Sequence, residues 1–177
     1  MSLTGLSADE FTAAFARHGR TLWVLAAAWV GRENAMDLVQ ETAALAWQRR
    51  DRFAPGSDAR AWLSQIARHL GANERRRKRP LSVAPDELQP SAPLPAAHFD
   101  GSDLASLDCG DEITAALREL PATQRASLLL HVVSGHTFAE IGAMLEIPEN
   151  TAASHARRAR LALAETLSSA PTDVRTP

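Results

Sequence analysis

Residues 137–160 read TFAEIGAMLEIPENTAASHARRAR, and this stretch decides the fold class predicted for the chain. Thr137 and Glu140 have the spacing of a capping box, which predicts the start of a short helix. Residues 146–148 form a tight turn, and a second helix is predicted from about Glu149. Two helices joined by a turn of about three residues have the dimensions of a helix-turn-helix motif.

The second helix of this motif is the predicted DNA reader, because its exposed face would be free to enter a major groove. The residues expected at base edges lie in its first turns: Asn150, Thr151, Ala153 and Ser154. The residues expected to reach phosphates or bases follow them: His155, Arg157 and Arg158. An ordinary helical hairpin with a solvated basic end is the alternative that the motif alone leaves open.

Two further helices are predicted just before this motif. A stripe of apolar residues predicts the first of them: Ile113, Ala116, Leu117 and Leu120. Pro121 opens the next helix, which Gly135 ends. Its apolar residues are Leu128, Leu129, Val132 and Val133.

The N-terminal part of the chain predicts three more helices. Residues 8–30 repeat apolar side chains at spacings of three and four, with Ser7 and Glu10 as a capping box and Gly31 as the stop. Residues 33–50 form the second helix and 51–57 a loop, because Pro-Gly breaks both helix and strand. The third helix begins near Asp58 and ends before Pro80.

Charge divides the chain into three parts that the net charge of −2 hides. Residues 1–80 carry 13 Lys and Arg against 8 Asp and Glu. Residues 81–108 carry five acidic and no basic residues, with four prolines and no helical periodicity. We therefore expect an all-α fold of two small helical domains, residues 7–80 and 109–170, joined by a flexible linker, residues 81–108.

Composition excludes several other classes of protein. The single cysteine, Cys109, cannot support an intrachain disulfide or a multi-cysteine zinc site, and the six histidines lack metal-ligand spacing. The longest apolar run, residues 22–30, is too short to cross a bilayer, and we see no signal peptide. We expect no cofactor, no bound metal, no small-molecule substrate and no membrane insertion.

A run of five cations, Arg75–Arg79, closes the third helix. These charges repel one another and cannot be buried, so they either form a solvated helix end or bind a polyanion. With Trp62 and Arg68 upstream on the same helix, a nucleic-acid surface is about as well supported as the solvated end.

Asp37, Gln40 and Glu41 share the polar face of the second helix, opposite Leu38 and Val39. Two carboxylates could suggest a catalytic pair, but no nucleophile, phosphate-binding loop or pocket accompanies them. On its own this face is weak evidence of function, since polar helix faces are usually just solvated. We expect the chain not to be an enzyme.

Taken together, these motifs resemble the extracytoplasmic-function (ECF) class of bacterial sigma factors. Residues 11–79 are similar to sigma region 2 through several strings: Asp37–Thr42, Ala46-Trp47, Arg52-Phe53, Arg60–Leu63 and Ile66–Arg68. Residues 112–163 are similar to sigma region 4 through Ala116–Pro121, Gln124-Arg125, Ala139–Gly142 and Arg158–Arg160. Both resemblances occur in the order that the family has them.

The resemblance implies a cytoplasmic transcription initiation factor whose partners are core RNA polymerase, promoter DNA and an anti-sigma factor. It implies core-polymerase binding by Asp37, Gln40 and Glu41, and −35 binding by the second helix of the helix-turn-helix. It implies −10 binding by a larger set: Arg52, Phe53, Arg60, Trp62, Arg68, Arg75, Arg76, Arg77, Lys78 and Arg79.

The chain departs from the family pattern at a few positions. His69 and Asn73 stand where the family usually has Asn and Asp, and residues 152–155 read Ala-Ala-Ser-His where Val-Lys-Ser-Arg is common. Fewer cations imply a weaker −35 contact. The alternatives are a contact that is pH-sensitive through His155 or one directed at an unusual sequence. The alternative function is a stand-alone helix-turn-helix regulator that never binds polymerase.

Overall fold

A computed structural model describes residues 5–78 and 110–169, and these ranges contain helices and no strand. The seven α-helices are α1 (Ala8–Val30), α2 (Ala35–Gln48), α3 (Ala59–Lys78), α4 (Gly110–Glu119), α5 (Ala122–Val132), α6 (Phe138–Leu145) and α7 (Glu149–Ser169). The all-α fold is thereby confirmed, while the predicted linker lies outside the described residues.

Helix α1 begins and ends where the sequence predicts. Ser7 Oγ accepts a hydrogen bond from Glu10 N at 3.3 Å, and Glu10 Oε2 accepts one from Ser7 N at 2.9 Å. Gly31 ends the helix at φ +89°, a backbone conformation that side chains with a Cβ disfavour. Between these ends, α1 buries Phe11, Leu22 and Leu25 almost completely.

Helices α2 and α3 pack on α1 and on each other. Short 3₁₀ turns at Arg32–Asn34 and Arg50–Arg52 flank α2, so it is shorter than the predicted 33–50. Asp58 Oδ1 accepts the Arg60 backbone N–H at 2.9 Å and so caps the start of α3. Trp62, in the first turn of α3, is half-buried.

Two of the predicted apolar stripes are only partly correct. Ile113 of α4 is 38% exposed and Val132 of α5 is 68% exposed. Periodicity assigns every apolar residue of a stripe to the core, but a helix buries only the face that a neighbour covers. Helix α4 packs mainly on α7, and α5 packs between α1 and α7, which leaves these two side chains at the edge.

Helices α6 and α7 form the predicted helix-turn-helix. Thr137 and Glu140 make the reciprocal bonds of a capping box at the start of α6. Glu146 ends the helix in the left-handed conformation at φ 54°, and the Ile147 N–H donates to Gly142 O at 3.0 Å. A Cβ on Gly142 would lie 2.7 Å from the Ile147 carbonyl oxygen, so this tight turn requires glycine there.

The two halves of the chain share one hydrophobic core, which the sequence did not predict. Buried residues of both halves belong to the same cluster, among them Leu22, Leu25, Leu63, Leu130, Ile141 and Met144. Arg125 of α5 also donates from Nε to the Ala28 carbonyl oxygen of α1 at 2.6 Å. The first half therefore packs against the second through α1 with α5 and α3 with α6.

We predict that Gly142→Ala destabilises the chain by about 1–3 kcal/mol, because the added methyl group must displace a backbone carbonyl. Ala143→Ser is the matched control, since Ala143 is the exposed neighbour in the same helix and its replacement should cost no more than about 0.5 kcal/mol. Urea denaturation followed by circular dichroism measures both. Equal stability of the two variants would show that the turn tolerates a side chain at position 142.

Candidate nucleic-acid interface

Helix α7 presents a polar face directly opposite its buried seam. Ala152, Ala156 and Ala159 are at most 5% exposed and hold this seam against the body of the domain. At 100° per residue, the side chains opposite the seam belong to the predicted base and phosphate contacts: Asn150, Ser154 and Arg157. These three and Arg158 are exposed, so the helix offers a continuous surface to a groove.

The remaining predicted DNA contacts of α7 lie nearer the seam. Thr151, Ala153 and His155 are half-buried. The His155 Nδ1 atom is buried and has no hydrogen-bond partner among the described residues. Of the two alanines that replace the common Val-Lys pair, Ala152 is fully buried in the seam. Ala153 is half-buried, so a lysine at position 153 could reach DNA and its absence removes a cation from this surface.

The basic end of α3 is a second exposed surface. Arg75, Arg76 and Arg77 are all exposed, and Arg75 also lies over the Trp29 ring with 5.9 Å between its guanidinium carbon and the ring centroid. The Arg77–Glu74 ion pair is long, at 3.9 Å, and lies near the surface. Such a pair is weak, so the positive charge of Arg77 stays available to an anionic ligand. Lys78 is the last residue of α3, and Arg79 lies outside the described residues.

The loop before α3 differs from what the resemblance implied. Phe53 is only 6% exposed and packs edge-on against Trp62 at a centroid distance of 5.3 Å. In this structure Phe53 therefore supports the loop from within and presents no face to a base. Arg52 is exposed beside it and Trp62 is half-buried.

The acidic face of α2 is open to solvent. Asp37, Gln40 and Glu41 are exposed, while the opposite side of the helix buries Leu38 and Val39. Partial burial raises the pKa of Glu41, and the nearby carboxylate of Glu74 raises it further. The face thus has a patch of negative charge with α3 along one side.

Two cations of the predicted −10 set, Arg60 and Arg68, do not face solvent. Arg60 Nη1 lies 2.8 Å from Glu140 Oε1 of α6. Arg68 pairs with Glu146, in the turn of the helix-turn-helix. Only about a fifth of each arginine side chain is exposed. Neither ion pair was predicted from the sequence. Glu140 was predicted only to cap α6 and Glu146 only to lie in the following turn, and neither role indicates a contact with α3.

His136, just before α6, completes the contact around Arg60. Arg60 Nη1 can only donate, so His136 Nδ1 accepts its hydrogen bond at 3.3 Å. The other ring nitrogen, Nε2, then carries the proton and donates to Thr21 Oγ1 of α1 at 3.0 Å. Burial lowers the pKa of His136, and the charge of Arg60 lowers it further, which agrees with a neutral ring.

The pKa of Glu140 is lowered from the ordinary value to about 2. The first cause is the hydrogen bond from the Thr137 backbone, and the second is the hydrogen bond from Arg60. One carboxylate therefore starts α6 and also binds α3. Glu10 is the acid of the other capping box. Hydrogen bonds from Ser7 lower its pKa, and no arginine contributes to that shift.

None of the helices within residues 5–78 and 110–169 combines the length and the apolar character that a bilayer span needs. The same residues contain no group of three or more His, Cys, Asp or Glu side chains placed to hold a metal ion.

Two family models match the chain, one on each half. The Sigma-70 region 2 model matches residues 14–80, and the Sigma-70 region 4 model matches residues 110–163. The second match contains α4 to α6 and most of α7, including the whole helix-turn-helix.

Several curated proteins are similar over most of their length. The ECF RNA polymerase sigma factor EcfG of Rhodopseudomonas palustris is 34% identical over 139 residues, which are 76% of this chain and 72% of EcfG. The ECF RNA polymerase sigma factor SigL of Mycobacterium tuberculosis is 33% identical over 170 residues, which are 93% of this chain and 94% of SigL.

Solved structures share the fold across both halves. The sigma factor RpoE of Bartonella quintana, in complex with the anti-sigma factor NepR, aligns with a TM-score of 0.65 and 25% identity over 92% of this chain and 99% of that one. CnrH, in complex with the cytosolic domain of CnrY, aligns with a TM-score of 0.63 and 23% identity over 92% and 90% of the two chains.

We predict that Glu140→Gln destabilises the fold by about 0.3–1 kcal/mol at neutral pH, a range set by solvent screening of a partly exposed ion pair. The amide oxygen can still accept the capping bonds from Thr137, so the variant keeps the capping box and removes the charge together with the hydrogen bond from Arg60. Because the folded pKa lies below the ordinary value of 4.5, the penalty should be complete above about pH 5 and should disappear as pH falls toward 2.

Glu10→Gln is the matched control for this variant, because its capping box has no arginine partner. Urea unfolding at several pH values should show a smaller penalty for Glu10→Gln, and Arg60→Ala should reduce the Glu140→Gln penalty to that level. A Glu140→Gln penalty that persists below pH 2 would contradict the assignment of the stabilisation to the charge.

Proposed function

The chain belongs to the ECF class of bacterial sigma factors, and we propose that its two helical domains divide promoter recognition between them. As a sigma factor it directs RNA polymerase to promoters and acts in transcription initiation. The observation that carries the assignment is the match of both sigma regions, in order, to the two halves of the chain.

Region 4 is proposed to be residues 109–170 and to bind the −35 element as a duplex. The exposed side of α7 supports this, because Asn150 and Ser154 can exchange hydrogen bonds with base edges. Arg157 and Arg158 lie one turn further along and fit phosphate oxygens. His155 is half-buried near the seam, so we expect it to contribute less than these four.

Region 2 is proposed to be residues 7–80 and to hold the opened −10 strand. The exposed cations at the end of α3 can track a phosphate backbone. Arg52, in the turn before α3, and Trp62, in its first turn, lie toward the opposite end of the helix. Phe53 shapes this loop through its contact with Trp62. The segment 81–108 would then link the two domains along the polymerase.

Core RNA polymerase is proposed to bind the acidic face of α2. Asp37, Gln40 and Glu41 are exposed on one side of a helix whose other side is fixed in the core, so the face is rigid. Exposed charges on a rigid helix can set the orientation and the association rate of a partner with a basic surface.

An anti-sigma factor is the proposed regulatory partner. The two similar solved structures, RpoE with NepR and CnrH with CnrY, are both complexes, and the first aligns with nearly the whole of this chain.

The proposed site of action is the cytoplasm, where RNA polymerase works, and we propose no catalytic activity, cofactor or small-molecule substrate for the chain itself. A stand-alone helix-turn-helix regulator would explain α6 and α7 but leaves the region 2 match over residues 14–80 without a role.

We predict that Asp37→Arg combined with Glu41→Arg lowers the affinity for core polymerase about a hundredfold or more, because reversed charges at an interface repel. The helical circular dichroism should be unchanged, since both side chains are exposed. Asp111→Arg with Glu112→Arg, in the first turn of α4, is the control with the same change in charge. Equal binding of both double variants in a pull-down would remove α2 from the polymerase interface.

We predict that the basic end of α3 dominates the salt dependence of promoter binding. Residues 58–79 contain seven Arg and Lys and a histidine against two acids, whereas residues 149–160 contain three arginines and one acid. Replacing Arg75, Arg76 and Arg77 with alanine should flatten the slope of log affinity against log salt by about two to three, roughly one per lost phosphate contact.

Replacing Arg157 and Arg158 is the complementary variant. It should change which promoters are preferred more than it changes the slope, because α7 reads the duplex and neutralises fewer phosphates. Salt titrations of open-complex formation by the holoenzyme measure both slopes. A larger loss of slope in the α7 variant would reverse the proposed division between the two regions.

A further inference from the structure

A cavity of about 320 Å³ lies where the C-terminal ends of α1 and α3 meet α4 and α5. This volume falls within the range of small-molecule sites, about 300–1,000 Å³. Among the described residues that line it, none belongs to α2 or α7, and only Arg75 is shared with the surfaces proposed above for polymerase or DNA. The cavity is therefore a feature that promoter recognition leaves without a role.

Most of the cavity lining is apolar, and Trp23 and Trp29 supply its largest side chains. Leu129 of α5 and Val133, the residue after α5, line it from the other half of the chain. Trp29 Nε1 is buried and has no hydrogen-bond partner among the described residues. A buried donor without a partner is costly, so a ligand oxygen that paired with it would stabilise the site.

The charged part of the same lining is mostly cationic: Arg32, Arg75, Arg118 and Arg125, with Glu33 as the one acid among the described lining residues. The guanidinium carbon of Arg32 lies 6.0 Å from the centroid of the Trp23 ring. That of Arg75 lies 5.9 Å from the centroid of the Trp29 ring. Positive charge and apolar surface thus occur side by side, which is what an amphiphilic anion requires of its site.

Arg125 is the fixed cation of this group. Its Nε donates to the Ala28 carbonyl oxygen at 2.6 Å, and its Nη1 donates to the Leu117 carbonyl oxygen at 2.9 Å. Burial lowers the pKa of Arg125, and the charges of Arg75 and Arg118 lower it further. Three guanidinium groups therefore repel one another at the cavity, and an anion among them would relieve that repulsion.

Arg118 is the cation that is best placed to exchange its partner. It pairs with Glu33 at 3.5 Å, and both side chains are more than half exposed, at 61% and 58%. An exposed pair of this kind is weak. Its guanidinium can therefore turn to the carboxylate of a ligand, which it can bind through two parallel hydrogen bonds.

We propose that this cavity binds a small amphiphilic carboxylate, a monoanion with an aliphatic or aromatic body. The body packs between Trp23, Trp29 and Leu129, and the carboxylate pairs with Arg118 in place of Glu33. Apolar contact and charge act on the same ligand, so neither an uncharged analogue nor a short carboxylate binds as well.

A protein segment fits the cavity less well than a small molecule does. A stable protein interface covers about 800 Å² on each partner, whereas a sphere of the cavity's volume has a surface of only about 230 Å². Residues 81–108 of this chain carry five acidic and no basic residues, so they are the occupant that an experiment must distinguish from a free ligand.

Isothermal titration calorimetry of the full chain with octanoate, octan-1-ol and acetate tests the site. Octanoate should bind about tenfold or more tightly than octan-1-ol, because only the carboxylate gains charge-assisted hydrogen bonds. Acetate should show no binding at the same concentrations, because it lacks the apolar body. The parallel pair of 1-naphthoate and 1-naphthol distinguishes an aromatic body from an aliphatic one.

Charge variants on exposed side chains locate the carboxylate. Arg118→Gln should weaken octanoate binding about fivefold or more and leave octan-1-ol binding unchanged. Glu33→Gln should tighten octanoate binding about twofold or more, because it removes the competing carboxylate. The matched controls are Arg160→Gln and Glu149→Gln, which change the same charges on exposed residues of α7 outside the cavity and should alter the affinity less than about twofold.

A steric variant locates the apolar body. Ala27 is half-buried and lines the cavity, so Ala27→Leu should fill part of it and abolish binding of octanoate and octan-1-ol alike. Circular dichroism checks that this variant is folded. If it is not, the charge variants still decide the question, because their side chains are exposed.

The site is rejected if octanoate and 1-naphthoate bind no more tightly than their alcohols, or if Arg118→Gln and Arg160→Gln lose affinity equally. Amides in place of the five acids of residues 81–108 should leave the affinity for octanoate within about twofold. A larger gain would make that segment the occupant and would also reject a free ligand. All these measurements use the chain without polymerase or DNA, so their outcome is independent of the proposed function.

Discussion

Burial of α1 is the constraint on which the rest of the structure depends. This helix is in contact with α2, α3 and α5, and Leu22 and Leu25 at its centre are completely buried. Because three helices from both halves of the chain pack on it, α1 sets the position of the acidic face, of the basic end of α3 and of the helix-turn-helix at once. Its strong capping box and its glycine stop fix where that apolar surface begins and ends.

Charge and apolar packing have different roles in this molecule. The apolar cluster that runs from α1 to α6 supplies the contact area, and carboxylates and arginines decide which faces meet. Part-buried ion pairs gain little net stability after desolvation, so their main effect is to specify the register of docking.

The helix-turn-helix shows how a few residues serve two purposes. Glu140 caps α6 and binds Arg60, and Glu146 ends α6 and binds Arg68. Gly142 allows the turn to close, and Ala143 presents its carbonyl oxygen to Gln65. The first helix of the motif, which does not read DNA in helix-turn-helix proteins, is here the side that faces region 2.

The sequence by itself determined the helices, their caps and the DNA-reading motif, because those features depend on residues three or four positions apart. It also predicted Asn150, Ser154, Arg157 and Arg158 on the exposed face of α7, together with Thr151, Ala153 and His155, which the structure leaves half-buried. Only the tertiary structure decided that Phe53 is buried, that Val132 is exposed and that Arg60 meets Glu140. Arg60 and its partner His136 are separated by 76 residues, and no local pattern records which faces of two helices will dock. That choice depends on the summed shape and charge of whole surfaces, and it appears only when the two halves are packed together.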